Sequence, residues 1–408
     1  MTSEQVEANP IVDVGPVAHG GHCVARLDGQ VVFVRHALPG ERVEIRITER
    51  TKRFLRADAV RIIEPSPERV EPPCEFAGRC GGCDFQHVSA AGQPELLTSV
   101  VREQLARLAK IDWTGSVESV GGLTGWRTRL VWSVAPNGLA GLRRHRSHEV
   151  LPIDNCVIAH PGLPRVQQQV WDTDRVEAIV SSTNQRLLVT DGTVEDELES
   201  TVDGVVATDR TVRAGSAVLT EQVLGRDFAV SGSGFWQVHP KAAKTLVSAV
   251  LEAAQVEAGD RVLDLYAGAG LFSAFLAEAC APGELLSVEG NRTASADAKK
   301  NLANNANAVT IHAPVERALN RGLLGDSADI VVLDPPRAGA KQAVSAIAAL
   351  APRKIVYVAC DPAALARDIA SFAELGYSLE SLRAFALFPM THHVECVALL
   401  VRAGSELR

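Results

Sequence analysis

VLDLYAGAG, Val262–Gly270, is an apolar run of strand length that ends in a glycine turn and opens a helical stretch. Further apolar runs follow at Leu285–Glu289, Val309–His312, Ile330–Leu333 and Ile355–Ala359, separated by Ala-rich segments. With the first strand spanning Arg261–Tyr266, this alternation predicts a doubly wound parallel sheet that binds ligands at the carboxyl ends of its strands. Gly268 and Gly270 let the backbone come close to a ligand. Asp264 sits inside the strand end, and Glu289 ends the next strand, where a carboxylate can accept both hydroxyls of a ribose. NAD enzymes share that acid, so this loop alone fits either NAD or S-adenosylmethionine, with Asp264 favouring the latter.

Three later motifs fall on the same edge of the expected sheet. DPPRAG, Asp334–Gly339, follows the fourth strand, and its paired prolines delay the next helix and present Asp334 at the edge. A plain strand-to-helix turn is the competing reading. VYVACDP, Val356–Pro362, places Cys360 at the end of the fifth strand, before the helical stretch Ala363–Phe372. A strand-end cysteine is often structural, but a helix N-terminus lowers a thiol pKa and favours a nucleophile. In FPMTHHVECVALL, Phe388–Leu400, Glu395 stands in an apolar run where an unpaired charge is costly. It is either a desolvated proton acceptor or half of a buried salt bridge. Strand alternation turns Cys396 to the opposite face, into the core. A thiolate adding to C6 of a uracil makes C5 nucleophilic, and a carboxylate can then remove the C5 proton, so Cys360 and Glu395 supply one residue for each role.

Towards the N-terminus, Cys74, Cys80 and Cys83 cluster in CEFAGRCGGC, and the next cysteine is Cys156. MTSEQVEANP has no basic stretch or apolar core, so a signal peptide is not expected and a cytoplasmic chain with reduced thiols is. Three close cysteines and one remote one suit an iron–sulfur cluster better than the paired knuckles of zinc, although zinc or no ligand stays open. Cys23 and Cys280 read as packed residues. Strand candidates Val31–Arg35, Glu41–Thr48 and Ala57–Ile63, with turn signals between them, predict a small OB-type barrel. Arg46, Arg50, Lys52, Arg53, Arg56 and Arg61 face only Glu49 and Asp58, which points to a nucleic-acid surface or a solvated strand face. Leu97, Val101, Leu105 and Leu108 predict a helix over 93–110, and Arg127, Arg129, Arg143, Arg144, His145 and Arg146 form a second basic concentration. The chain of 408 residues, 46% hydrophobic and 22% charged, is long enough for two to four domains and contains no run of spanning length. Its net charge of −8 argues weakly against nucleic acid, but the charge is an average over domains.

LPGERVEIRI, EPSPERVEPPCEFAGRCGGC, VLDLYAGAG, LDPPRAG, YVACDPAALARD and HHVEC together resemble the bacterial RNA (uracil-5-)-methyltransferases that carry a TRAM domain and a [4Fe–4S] cluster. The resemblance covers nearly the whole chain. It implies a multi-domain α/β protein with a TRAM barrel at 1–66, a central RNA-binding α+β domain at 67–230 and a methyltransferase domain at 231–408, the helix at 93–110 packing on the last. It implies Cys360 as nucleophile and Glu395 as base. Gln237, in GFWQVHP, Tyr266, Glu289 and Asp334 would contact S-adenosylmethionine, beside Asp264, Gly268 and Gly270. Cys74, Cys80, Cys83 and Cys156 would ligate the cluster. The partner would be ribosomal or transfer RNA, with no membrane and no obligate protein partner, the chain acting as a monomer. Asp361, His239 and Leu271 each stand where the family usually has Asn.

The leading expectation is therefore 5-methyluridine formation in RNA, leaning to 23S ribosomal RNA over the transfer RNA T-loop. A cytosine-5 or exocyclic-amine methyltransferase and a non-catalytic RNA-binding protein are the alternatives.

Overall fold

The computed structural model describes residues 9–402. The N-terminal barrel consists of β1 (Ile11–Asp13), β2 (Cys23–Leu27), β3 (Gln30–Arg35), β4 (Arg42–Arg50) and β5 (Phe54–Glu64), in the order β1-β4-β5-β3-β2. Period-two burial brings Val32, Val34, Val43, Ile45, Leu55 and Ala57 inside. The alternate positions carry the charged residues, many of them paired. Arg46 meets Asp58 at 3.7 Å, Arg56 meets Glu49 at 3.2 Å, and Arg61 meets Glu44 at 2.7 Å. The basic stretch is thus largely a neutralised sheet face, and its exposed cations Arg50, Lys52 and Arg53 gather at the β4–β5 hairpin.

Helix α1 (Gly92–Gln104) buries Leu97, Val100 and Val101, and its last turn widens over Leu105–Ala109. Together with β6 (Val117–Ser119) it packs on the C-terminal sheet. A three-residue strand carries too little periodicity to be seen in a sequence, and none is expected there. The central sheet comprises β7 (Arg129–Val134), β8 (Ala140–Arg143), β9 (Val150–Pro152), β10 (Arg175–Val180), β11 (Arg186–Thr190), β12 (Gly204–Val206) and β13 (Val212–Gly215), with the one-turn helix α2 (Asp196–Glu199). Trp132, Val176, Ala178 and Leu188 form its core. The hairpin of β14 (Val218–Val223) and β15 (Arg226–Ser231) puts Phe228 into the core of the C-terminal body. The hairpin also sets Leu219 against Ile179, Leu187 and Val189 of the central sheet, so it bridges the two bodies just before residue 230.

After α3 (Ala242–Ala254) come β16 (Val262–Leu265), α4 (Leu271–Cys280), β17 (Leu285–Glu289), α5 (Arg292–Asn301), β18 (Ala308–His312), α6 (Val315–Asn320), β19 (Ile330–Leu333), α7 (Val344–Ala349), β20 (Lys354–Ala359), α8 (Pro362–Glu374), β21 (Tyr377–Ala386) and β22 (Glu395–Arg402). The sheet order is β18-β17-β16-β19-β20-β22-β21-β6. Strands β16 to β20 run parallel, and their strand order reverses between β16 and β19, the switch point where open α/β sheets bind ligands. Strand β22 runs antiparallel to β20, so its first residue lies at the edge where the parallel strands end. The Ala359–Cys396 pairing puts Cys360 and Glu395 one step further along the same register. Cys396 is buried in the core, as alternation requires.

Candidate active site

The switch point opens into a cavity of about 900 Å³ whose walls include Gln237, Tyr266, Gly268, Glu289, Asp334, Cys360 and Glu395. Asp264 and Gly270, expected as cofactor contacts, do not line it. Asp264 is fully buried beneath the loop, where its Oδ2 accepts the Ser273 hydroxyl at 2.5 Å. Gly270 caps α4 with φ +85° and packs on Ala298, a conformation and closeness that suit glycine. Among the departures from the family pattern, Leu271 does line the cavity, whereas His239 is turned away behind Trp126, with which it stacks at 5.9 Å.

Beside the glycine loop, the cavity wall carries Glu289 and Tyr266. Glu289 accepts the Gly268 N–H at 2.9 Å through Oε2 and the Asn291 N–H at 2.5 Å through Oε1. Each oxygen keeps a lone pair free for a ribose hydroxyl. Tyr266, held at φ +61°, donates its hydroxyl to Glu316 at 2.7 Å. Its ring forms a wall beside the glycine loop.

Elsewhere the cavity gathers charge. Burial holds Glu395 well above the ordinary carboxylate range, the nearby Asp334 adds to this, and Arg337 opposes it. Burial, with the charge of Asp264, pushes Asp334 up to about 7. Among the described residues neither carboxylate is in an ion pair, so Glu395 is not half of a buried salt bridge. Burial, then Glu395 and Asp334, push the Cys360 thiol up to about 11, against Arg337. Cys360 directly precedes α8, which Asp361 caps by accepting the Ala364 N–H at 2.8 Å. His393 also reaches the cavity, accompanied by Arg337 at 3.3 Å, and burial with the neighbouring His392 and Arg337 lowers it to about 4.

Cys74, Cys80, Cys83 and Cys156 line a second cavity of about 960 Å³. Gly81 makes this possible, because a Cβ there would stand 2.9 Å from the His145 nitrogen. The Gly82 N–H points at Cys80 Sγ from 3.4 Å. Among the described residues no three His, Cys, Asp or Glu side chains converge as a single ion would require. Arg127 borders both cavities. Its Nε donates to the Arg129 carbonyl at 3.1 Å. Sequence reasoning placed Arg127 only in a basic stretch. Trp126, Phe235 and Phe388, which complete the walls, carried no signal beyond being aromatic residues beside motifs.

The TRAM domain pattern matches residues 11–60, and the tRNA (uracil-5-)-methyltransferase pattern matches residues 217–403. An RNA methyltransferase of Streptomyces avermitilis is 46% identical over 97% of this chain and 99% of its own length. The chain belongs to the TRAM-bearing RNA (uracil-5-)-methyltransferase family. A 23S rRNA (uracil(1939)-C(5))-methyltransferase of Shewanella amazonensis is 32% identical, covering 93% of each chain. The tRNA (uracil-54, C5)-methyltransferase of Pyrococcus abyssi, solved with S-adenosyl-L-homocysteine, superposes with a TM-score of 0.72. It is 22% identical, covering 95% of this chain and 99% of that one, and shares the fold. Among the described residues no helix is long and apolar enough to cross a membrane.

Proposed function

We propose that the chain methylates C5 of a uridine in RNA, with 23S ribosomal RNA as the substrate, through a covalent bond between Cys360 and C6. The observation that carries this reading is the register that sets Cys360 and Glu395 side by side, on a cavity that Glu289 also lines. S-adenosylmethionine, when bound, supplies an electrophilic methyl group. Cys360 Sγ, as thiolate, adds to C6 and forms an S–C6 bond, leaving negative charge at C5 and O4. C5 takes the methyl group with release of S-adenosylhomocysteine. Glu395 accepts the C5 proton, the S–C6 bond breaks, and the C5–C6 double bond returns with the thiolate. Asp334 and Gln237 line the same cavity and would orient the donor and the base. A target uridine reaches this depth only when flipped from its stack.

The ribosomal preference rests on two full-length relatives at 32% identity whose names give a 23S rRNA target. The four cysteines would hold an iron–sulfur cluster. All four thiols border one cavity, and Cys80 and Cys83 each lie close enough to Cys156 to feel its charge, so four thiolates are available to one group. Because Arg127 borders both this cavity and the candidate active site, the cluster would take a structural part in shaping the wall they share.

RNA carrying 5-fluorouridine tests the reaction, since the fluorine cannot leave as a proton does. The expected result is an RNA–protein adduct stable in denaturing gels that requires S-adenosylmethionine and maps to Cys360. Methylation of unmodified RNA at full rate by Cys360→Ala would refute the covalent route. A product running with 5-methylcytidine would assign the chain to the cytosine class.

A further inference from the structure

The barrel touches the nucleophile loop. His19 lies in the β1–β2 loop, and its Nε2 sits 3.1 Å from Oδ2 of Asp361, the residue that follows Cys360. Asp361 uses its other oxygen to cap α8 through the Ala364 N–H. The same barrel loop presses on the second catalytic segment. Gly21, at φ +79°, lies so close that a Cβ there would stand 2.8 Å from the His392 Cβ. Just below, Asp84 binds the His392 Nδ1 at 2.6 Å, and the N–H groups of Asp84 and Phe85 donate to the Met390 carbonyl at 2.8 and 2.9 Å. Both loops that carry the reacting groups are therefore held by the N-terminal part of the chain. Asp361 brings a charge beside Cys360, and that charge needs a partner.

We propose that His19 is a positioning residue: by pairing with Asp361 it fixes the first turn of α8 and screens the carboxylate beside Cys360, so that the barrel and the nucleophile are mechanically and electrostatically linked. The proposal rests on Cys360 being the nucleophile. The ionisable groups facing that thiol are Glu395 and Asp334, both held up by burial, and the cation Arg337. An unscreened Asp361 adds an anion beside them and opposes formation of the thiolate. The hydrogen bond from His19, with the Ala364 N–H, outweighs burial and holds Asp361 below the ordinary carboxylate range. On the barrel side, the loop is braced by the Ala18 and Gly21 N–H groups, which donate to the His22 and Ala18 carbonyls, so His19 projects from a rigid turn.

The test is a cycle of His19→Ala, Asp361→Asn and the double variant, with His19→Gln as a neutral hydrogen-bonding control. Three quantities are read: adduct formation with 5-fluorouridine RNA, the pH profile of Cys360 alkylation followed by peptide mass spectrometry, and the affinities for RNA and S-adenosylmethionine. The expected result is a roughly tenfold slower adduct in His19→Ala at pH 7.5, equal to about one pKa unit on the thiol. Its alkylation profile moves to higher pH by about the same unit. His19→Gln is intermediate, and adding Asp361→Asn to His19→Ala restores the rate to within about twofold, because Asn still caps the helix without a charge. Both affinities stay within about twofold throughout. An unchanged rate in His19→Ala overturns the proposal. So does a loss that Asp361→Asn fails to restore, or one matched by weaker RNA binding, since either makes His19 an ordinary barrel contact. Absence of any adduct in the unaltered protein would instead overturn the reaction itself.

Discussion

Replacing Glu395 by Gln separates the two halves of the reaction. The amide keeps the shape of the side chain but cannot accept the C5 proton, so addition and methyl transfer proceed and elimination stops. Two magnitudes follow from the site. A thiol near 11 is ionised to about one part in 10³–10⁴ at pH 7.5, and Glu395 is the largest charge holding it there. In the fraction of molecules whose Glu395 is ionised, removing that charge raises the thiolate population about tenfold for each unit of pKa relieved. Loss of the general base meanwhile slows turnover by about 10²–10⁴. The variant is therefore expected to capture unmodified RNA faster than the unaltered protein and to release it far more slowly. Denaturing gels of labelled uridine RNA with S-adenosylmethionine would show a shifted band near one RNA per protein for Glu395→Gln. The unaltered protein would show little, and Glu395→Gln with Cys360→Ala none. Turnover within tenfold of normal, or no band at any pH from 6 to 9, would refute the assignment of Glu395 as the base.

Glu289→Ala removes the expected ribose acceptor and should weaken S-adenosylmethionine binding by about 10- to 100-fold in calorimetry, as for loss of a charged hydrogen-bonding partner, with RNA affinity unchanged. Asp264, raised to about 7 by burial, keeps its proton more tightly folded than unfolded, so the protein should lose stability as pH rises from about 4 to 7. Asp264→Asn should flatten that fall by up to about 4 kcal/mol in denaturant melts; an unchanged slope would show that the carboxyl is already ionised. Cys83→Ser should abolish the brown colour and iron content of an anaerobic preparation, and a colourless, zinc-loaded parent protein would sink the cluster. Lys52→Glu with Arg53→Glu, at the barrel hairpin, should weaken RNA binding at 0.1 M salt by at least tenfold and reduce its salt slope by about two, measured by filter binding.

Much of the lining of the candidate site was legible because its residues end or begin strands next to punctuation that a sequence displays: glycines after Tyr266, prolines after Asp334, Asp-Pro after Cys360. Glu395 stood out by being charged in an apolar run. Asp264 and Gly270 were misplaced by the same logic, since proximity to a loop in sequence does not say which side of it faces the ligand. The charge count at 46–61 misled because cross-strand partners such as Glu44 are invisible until the register is known. Arg127 could not be singled out among neighbouring arginines, because only the packing of the central sheet against the C-terminal body puts it between two cavities. The bridging role of the β14–β15 hairpin was hidden for a related reason: it looks like the strands before it, yet Phe228 packs with the helices after it.

The edge strand Val117–Ser119 sets a constraint on how the molecule is made. Its neighbour in the sheet, Tyr377–Ala386, leaves the ribosome only near the end of translation, roughly 15 to 50 s later at ordinary elongation rates. Through that interval α1 has nothing to cover Leu97 and Val101, and Glu118 waits for Arg383, which will grip it through two contacts of 2.8 Å. The barrel and the central sheet can fold as they emerge, but the segment between them belongs to a body that does not yet exist. Cutting the chain near 217 therefore yields no pair of independent domains. It yields two unfinished pieces, each presenting an apolar seam that only the other can close.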